Sequence, residues 1–274
     1  MKYLFNYSQK IFTSINRTPR IYLFLDYDGT LTPIVKKPEL ANLPPNVKSI
    51  LLKLTKNPKF SIAIISGRSI KQLKGKVKIK DIALAGNHGL EMELPSGTAA
   101  RRGVESPTLK YVHPLARKIR PVTKNIKHKL DIACKPIKGT FIEDKGLTLS
   151  VHYRLVKGAK IKKLKHSVIA TLTPYIESKK VKITNGKKVI EVRPPIKWGK
   201  GSLVDYLLKR KKNKRRRILP IYLGDDETDE SAFKRLKKKG ITIFVGGKNT
   251  VSNAEYYVGD TKEVFRFLSG LTTN

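Results

Sequence analysis

Two carboxylates, Asp26 and Asp28, stand in the segment Asp26-Tyr27-Asp28-Gly29-Thr30, directly after the apolar run Ile21 to Leu25. Branched and aromatic residues in such a run suit a strand covered on both faces, and Gly29 supplies the backbone freedom to turn away from it. In an open α/β sheet, ligands sit at the carboxyl ends of the strands, so this pair is placed for chemistry on a phosphate. A plain Asp- and Gly-rich turn that ends a strand is the competing reading. Three distant segments have the same character: Ser66-Gly67-Arg68, Gly86-Asn87-His88-Gly89 and Gly224-Asp225-Asp226 each close a short apolar run. Ser66 offers a hydroxyl, and nearby backbone amides can join it at phosphoryl oxygens; an N-cap to the following helix is its structural alternative.

The elements that must position these groups alternate strand and helix, the rhythm of a mostly parallel sheet. Strands are expected at 21–25, 60–65, 82–85, 218–223 and 241–245. A helix opening at Pro44-Pro45-Asn46 places Val47, Ile50, Leu51 and Leu54 on one face, and a final helix is expected to bury Val264, Phe265 and Leu268. The stretch between about Glu105 and Arg193 reads differently. Helical patterns around 109–130 and 160–175 lie among half-exposed strands near 146–153 and 189–192, which suits an antiparallel sheet backed by helices. The expected organisation is α/β: a Rossmann-like core at residues 1–104 and 194–274, with a smaller α/β domain inserted at 105–193. Ser106-Pro107 and Pro194-Pro195 are the expected hinge regions.

Lys and Arg total 58 against 21 Asp and Glu, a formal net charge of +37. Such a surface attracts anionic substrates and binds polyanions nonspecifically, with affinity that drops steeply with salt. Its densest run, 209–217, lacks interleaved aromatics, and no zinc, RNA-recognition or helix-turn-helix pattern accompanies it. No apolar run reaches the roughly 20 residues of a membrane span, and the single Cys134 cannot form an internal disulfide. A cytoplasmic monomer is expected. Residues 1–20 lack acids and place Leu4, Phe5, Ile11, Phe12 and Ile15 near helical spacing, as a helix packed beside the first strand or as a targeting or membrane-surface segment.

Taken together, the strand-end segments resemble the haloacid dehalogenase (HAD) superfamily of aspartyl-phosphate phosphohydrolases. Within it, 26–34, 85–91 and 224–230 are similar to the trehalose-6-phosphate phosphatases, and the resemblance runs from Ile21 to Leu268. It implies a phosphatase that hydrolyses trehalose 6-phosphate to trehalose and phosphate. By resemblance, Asp26 is the nucleophile, and Lys200 in Trp198-Gly199-Lys200-Gly201 binds phosphate and orients the nucleophile. Asp28 is the general acid, then the base, starting protonated with a pKa above that of Asp26. Mg²⁺ prefers hard oxygen ligands, which suits the Asp26 carboxylate, the Asp28 carbonyl and Asp225, with Asp229 as a further ligand or a supporting carboxylate. Asp226 is less defined.

Gly67, Arg68 and His88 are expected beside the substrate, although Asn87-His88-Gly89 is equally readable as a structural turn. The inserted domain is expected to act as a cap that selects the sugar. Glu143, Lys145, Arg154 and Glu191 match family positions that bind sugar hydroxyls or close on the phosphate; exposed ion pairs are the alternative. Sucrose phosphate, glucosylglycerol phosphate and mannosyl-phosphoglycerate are competing substrates. A polyanion-binding protein on the same scaffold is the competing class, and tight, strongly salt-dependent DNA or RNA binding that survives Asp26→Asn would distinguish it.

Overall fold

The computed structural model describes residues 1–95, 108–186, 188–211 and 217–273. In chain order the strands of the larger sheet are β1 (Lys2–Tyr3), β2 (Arg20–Asp26), β3 (Phe60–Ile65), β4 (Ala83–Gly86), β5 (Glu91–Leu94) and β6 (Leu109–Val112). After the second unit, described below, come β11 (Ile218–Gly224), β12 (Ile241–Val245) and β13 (Tyr256–Val258). The helices of this part are α1 (Ser8–Arg17), α2 (Pro45–Lys56), α3 (Ile70–Val77), α7 (Lys200–Lys211), α8 (Glu230–Leu236) and α9 (Thr261–Thr273). The spatial order β1-β13-β12-β11-β2-β3-β4-β5-β6 is parallel from β1 to β4 and turns antiparallel at β5. The chain leaves β2 towards β3 on one side, whereas β11 to β13 extend the sheet on the other. That reversal between β2 and β11 is the topological switch point, where ligands collect in open α/β sheets.

Side chains alternate between two apolar layers. Leu23, Leu25, Ile62, Ile64, Ile221 and Leu223 meet α2 and α9 through Leu51, Leu54, Phe267 and Leu268, while Phe24, Ala63 and Tyr222 meet α7 and α8 through Leu203, Leu207 and Phe233. Two sequence expectations shift here. In α9 the fully buried aromatic is Phe267 rather than Phe265, which is only partly covered. At the N-terminus a short β1 precedes α1 and pairs with β13; its two residues carry too little periodicity to show as a strand.

The chain divides into two compact units, residues 1–111 with 198–274 and residues 112–197. The second unit holds α4 (Pro114–Lys118), α5 (Arg120–Cys134), β7 (Phe141–Asp144), β8 (Leu149–His152), α6 (Gly158–Glu177), β9 (Lys182–Gly186) and β10 (Val189–Arg193). Its strands form an antiparallel sheet in the order β7-β8-β10-β9. Leu149, Val151, Ile190 and Val192 point to one face and are sealed by Ile126 and Leu130 of α5 and Leu164, Val168 and Leu172 of α6. The opposite face of the same strands carries Glu143, Ser150, His152 and Glu191. The helical pattern read around 109–130 proves to be a strand followed by two helices, because Pro114 and Pro121 each reset the chain at a helix start. Ser106-Pro107 lies outside the described residues. Among those described, no helix is long and apolar enough to cross a membrane.

The α7–α8 contact sets where the site lysine begins. A Cβ at Gly201 would lie 2.4 Å from the Ser231 carbonyl oxygen, and the Gly201 amide donates to the Ser231 hydroxyl at 3.0 Å. Gly201→Val is expected to force the helices apart and cost about 1–3 kcal/mol, read as a lower urea midpoint with loss of activity.

Candidate active site

Register brings the strand-end groups together. β11 and β2 pair Leu223 with Leu25, and β2 and β3 pair Asp26 with Ile65, so Asp225, Asp26 and Ser66 leave three adjacent strands at the same level. Gly29 has φ +90°, and a Cβ there would fall 2.2 Å from an Asp225 carboxylate oxygen. The loop after β2 can therefore lie against Asp225 only with glycine at this position.

Lys200, at the first position of α7 and 2 % exposed, is the hub. Its Nζ donates to Asp26 Oδ1 at 2.7 Å and to Asp229 Oδ1 at 2.6 Å, and lies 3.9 Å from Asp226. Lys197, three residues earlier in the chain, is exposed. Asp229 Oδ1 also accepts from the Tyr222 hydroxyl at 2.6 Å, while Oδ2 accepts from the backbone N–H groups of Asp225 and Asp226, each at 3.2 Å. These four donors match the acceptor capacity of a carboxylate. Asp229 thus anchors Lys200 and the loop after β11. Tyr222 was missed in the sequence because it sits inside an apolar strand, where an aromatic reads as core.

Burial pushes the Asp26 carboxyl well above its usual range, reinforced by Asp229, Asp225 and Asp226 and opposed by Lys200. Burial likewise pushes Asp229 up to about 7, again against Lys200. Burial works against the Lys200 ammonium too, yet Asp229 and Asp26 carry it well above its ordinary value. Asp226 goes the other way: despite burial, Lys200 and hydrogen bonds from Thr228 hold it below the carboxylate range. One ammonium among four carboxylates leaves an excess of negative charge in a buried place. A hard divalent cation suits that excess and that all-oxygen donor set. Carboxylate oxygens of Asp26, Asp225 and Asp229 lie within 4.8 Å of one another, close enough to share an ion.

Asp28 and Arg68 form a unit that the sequence had kept apart. The Arg68 guanidinium donates through Nε to Asp28 Oδ2 at 2.8 Å and through Nη2 to Oδ1 at 2.6 Å. Nη2 also donates to the Pro38 carbonyl at 2.9 Å, and the guanidinium lies 5.4 Å from the centre of the Tyr27 ring. Arg68, expected at the substrate, here holds the proposed proton donor as an acceptor. The Asp28 side chain is 35 % exposed against 7 % for Asp26, so it is the carboxylate that solvent reaches. Ser66 is buried and its hydroxyl accepts from the Arg68 amide at 3.1 Å; the N-cap of α3 is Ser69, in a capping box with Gln72. Gly67 is half-buried between them.

His88 lies in a tight turn, with φ of 50°, 56° and 91° at Asn87, His88 and Gly89. The Asn87 and His88 amides donate to the Arg68 and Ser66 carbonyls at 2.7 and 2.9 Å, so this turn braces the loop after β3. In the second unit, Lys145 Nζ donates to Glu191 Oε1 at 3.1 Å and the Ser150 hydroxyl to the same oxygen at 3.3 Å. His152 Nε2 lies 2.9 Å from Glu143 Oε2, and Arg154 is exposed. Glu143, Lys145 and Glu191 are thus collected on one sheet face.

A mostly parallel sheet with carboxylates and a buried lysine at its switch point places this chain among the phosphatases of the HAD fold. It belongs to the trehalose-phosphatase family, whose family model matches residues 24–262, and which comprises phosphoric monoester hydrolases. It is 36% identical over 255 residues to "Trehalose-phosphate phosphatase B" of Arabidopsis thaliana, covering 92% of this chain and 66% of that one. It is 34% identical over 256 residues to "Trehalose 6-phosphate phosphatase RA3" of Zea mays, covering 92% and 70%. The chain therefore spans about two thirds of the length of these relatives. Among solved structures, the C-terminal domain of C. albicans trehalose-6-phosphate phosphatase superposes with a TM-score of 0.82 at 24% identity, covering 97% of this chain and 96% of that one. A trehalose-6-phosphate phosphatase related protein gives 0.76 at 24% identity, covering 92% and 97%. These two likenesses establish the fold.

Removing the hub cation strands buried carboxylates. Lys200→Met is expected to destabilise chelator-treated protein by about 3–5 kcal/mol in urea unfolding. Added Mg²⁺ is expected to restore part of the loss.

Proposed function

We propose that the protein hydrolyses trehalose 6-phosphate to trehalose and phosphate through an aspartyl-phosphate intermediate. The observation that carries this reading is the buried Lys200 ammonium bridging Asp26 and Asp229 at the switch point of a trehalose-phosphatase family chain. Lys200 fixes the Asp26 carboxylate in one orientation, with Oδ1 turned to the ammonium. Attack by Asp26 on phosphorus expels the sugar oxygen as an alkoxide, which requires a proton. Asp28 is the exposed carboxylate two residues away and supplies that proton, then takes one from the water that cleaves the acyl phosphate. Its clasp by Arg68 holds the side chain ready, and Arg68 must yield at least one hydrogen bond when Asp28 acts as donor. The Ser66 hydroxyl and the Gly67 amide donate hydrogen bonds to the phosphoryl oxygens and so stabilise their charge. His88 completes the phosphate side of the site.

Asp26, Asp225 and the Asp28 carbonyl are the groups that would hold Mg²⁺. Bound there, the ion supplies charge neutralisation at the phosphoryl oxygens. Glu143 and Glu191 accept hydrogen bonds from sugar hydroxyls, and Lys145 and Arg154 donate them. The same reading takes the protein as a cytosolic monomer, and its elution volume in size-exclusion chromatography checks the oligomeric state.

A panel of sugar phosphates, assayed with and without Mg²⁺, is expected to show trehalose 6-phosphate as the preferred substrate and activity only with the ion. Faster turnover of sucrose phosphate or another sugar phosphate would reject the sugar assignment. Asp26→Asn is expected to lower kcat by at least about 10³-fold with the fold intact by circular dichroism, the scale of losing a covalent nucleophile.

A further inference from the structure

The polar face of the second unit's sheet carries an exposed aromatic that neither packing nor the proposed hydroxyl contacts explain. Phe141 opens β7 and is 49 % exposed, although the opposite face of the sheet offers a sealed apolar core. By strand alternation it shares its face with Glu143, and cross-strand register places it beside His152. The two rings stack, with centroids 5.7 Å apart and planes 29° from parallel. His152 is in turn held by Glu143 at 2.9 Å. Next to this pair runs the row Glu143, Ser150, Glu191 and Thr184, aligned across β7, β8, β10 and β9.

We propose that Phe141, backed by His152, is the stacking platform for one pyranose ring of the substrate, and so a specificity-determining residue. The inference rests on the sugar-phosphate reading above and adds to it. A pyranose has two chemical aspects. Its hydroxyls lie around the rim and need acceptors and donors, while its C–H groups make an apolar, slightly positive face that pairs with the negative face of an aromatic ring. The row from Glu143 to Thr184 meets the first need. Phe141 meets the second, and its exposure on a polar face then has a purpose. His152 stiffens the platform from one side and ties it to Glu143, so the stacking surface and the first hydroxyl acceptor are held in fixed relation. A ring bound there is selected by its C–H face as well as by its hydroxyls, which favours a disaccharide over a single phosphorylated sugar.

The test compares wild type, Phe141→Ala and Phe141→Trp on trehalose 6-phosphate, glucose 6-phosphate and p-nitrophenyl phosphate. Phe141→Ala is expected to raise KM for trehalose 6-phosphate about fivefold, the scale of one lost ring stack, with kcat changed less. Turnover of p-nitrophenyl phosphate is expected to stay at the wild-type rate, which also certifies the fold. Phe141→Trp is expected to restore the wild-type KM. An unchanged KM in Phe141→Ala, or an equal loss on all three substrates, would overturn the platform while leaving the proposed function standing. Failure of the wild type itself to turn over trehalose 6-phosphate would overturn both.

Discussion

One buried ammonium organises the catalytic half of this protein. Four carboxylates, Asp26, Asp225, Asp226 and Asp229, converge where the sheet reverses direction, and they would repel one another at such close range in a medium of low polarisability. Lys200 holds two of them directly, and its own burial is tolerable only because they surround it. Everything that places Lys200 therefore bears on the nucleophile. α7 starts at this residue, the neighbouring Trp198 indole donates to the Gly89 carbonyl at 2.9 Å, and Gly201 lets α8 approach to backbone contact. Two loops from distant parts of the chain, after β2 and after β11, are fixed by reference to one nitrogen atom.

The sheet supplies the frame for that arrangement. Parallel strands buried on both faces must be apolar throughout, so polar groups can enter only at their ends. β2 and β11 obey this rule until Asp26 and Asp225, apart from Arg20 at the entry to β2, the buried Tyr22 and, at the site, Tyr222. The Tyr222 ring belongs to the core, stacking near Phe24 and meeting Phe233 edge-on, while its hydroxyl reaches Asp229. A phenol is suited to this because it brings a single donor through an apolar layer at little cost in buried polarity.

Much of this architecture was legible in the sequence. The strands 60–65 and 241–245 and the apolar face of α2 follow from periodicity, because in a doubly covered sheet burial alone dictates residue type. The β1 strand escaped because two residues cannot express a period, and β6 because its sequence also fits a helix. At the site, residue types showed which groups carry the chemistry, and not which of them touch. The Arg68–Asp28 clasp joins residues forty positions apart, and the Asp229 oxygens are saturated by donors that include two main-chain amides. Main-chain donors leave no mark on side-chain sequence, so the anchoring role of Asp229 is visible only in three dimensions.

The antiparallel sheet of the second unit has one further consequence. Ile190 and Val192 answer to the helices behind them, whereas Glu191 and Arg193 on the same strand answer to nothing in that apolar layer. Alternate residues of one strand thus meet separate demands: half keep the unit folded, and half carry the polar groups of the opposite face. Changes at every second position of such a sheet can alter its polar face while leaving the apolar layer that holds the unit together untouched.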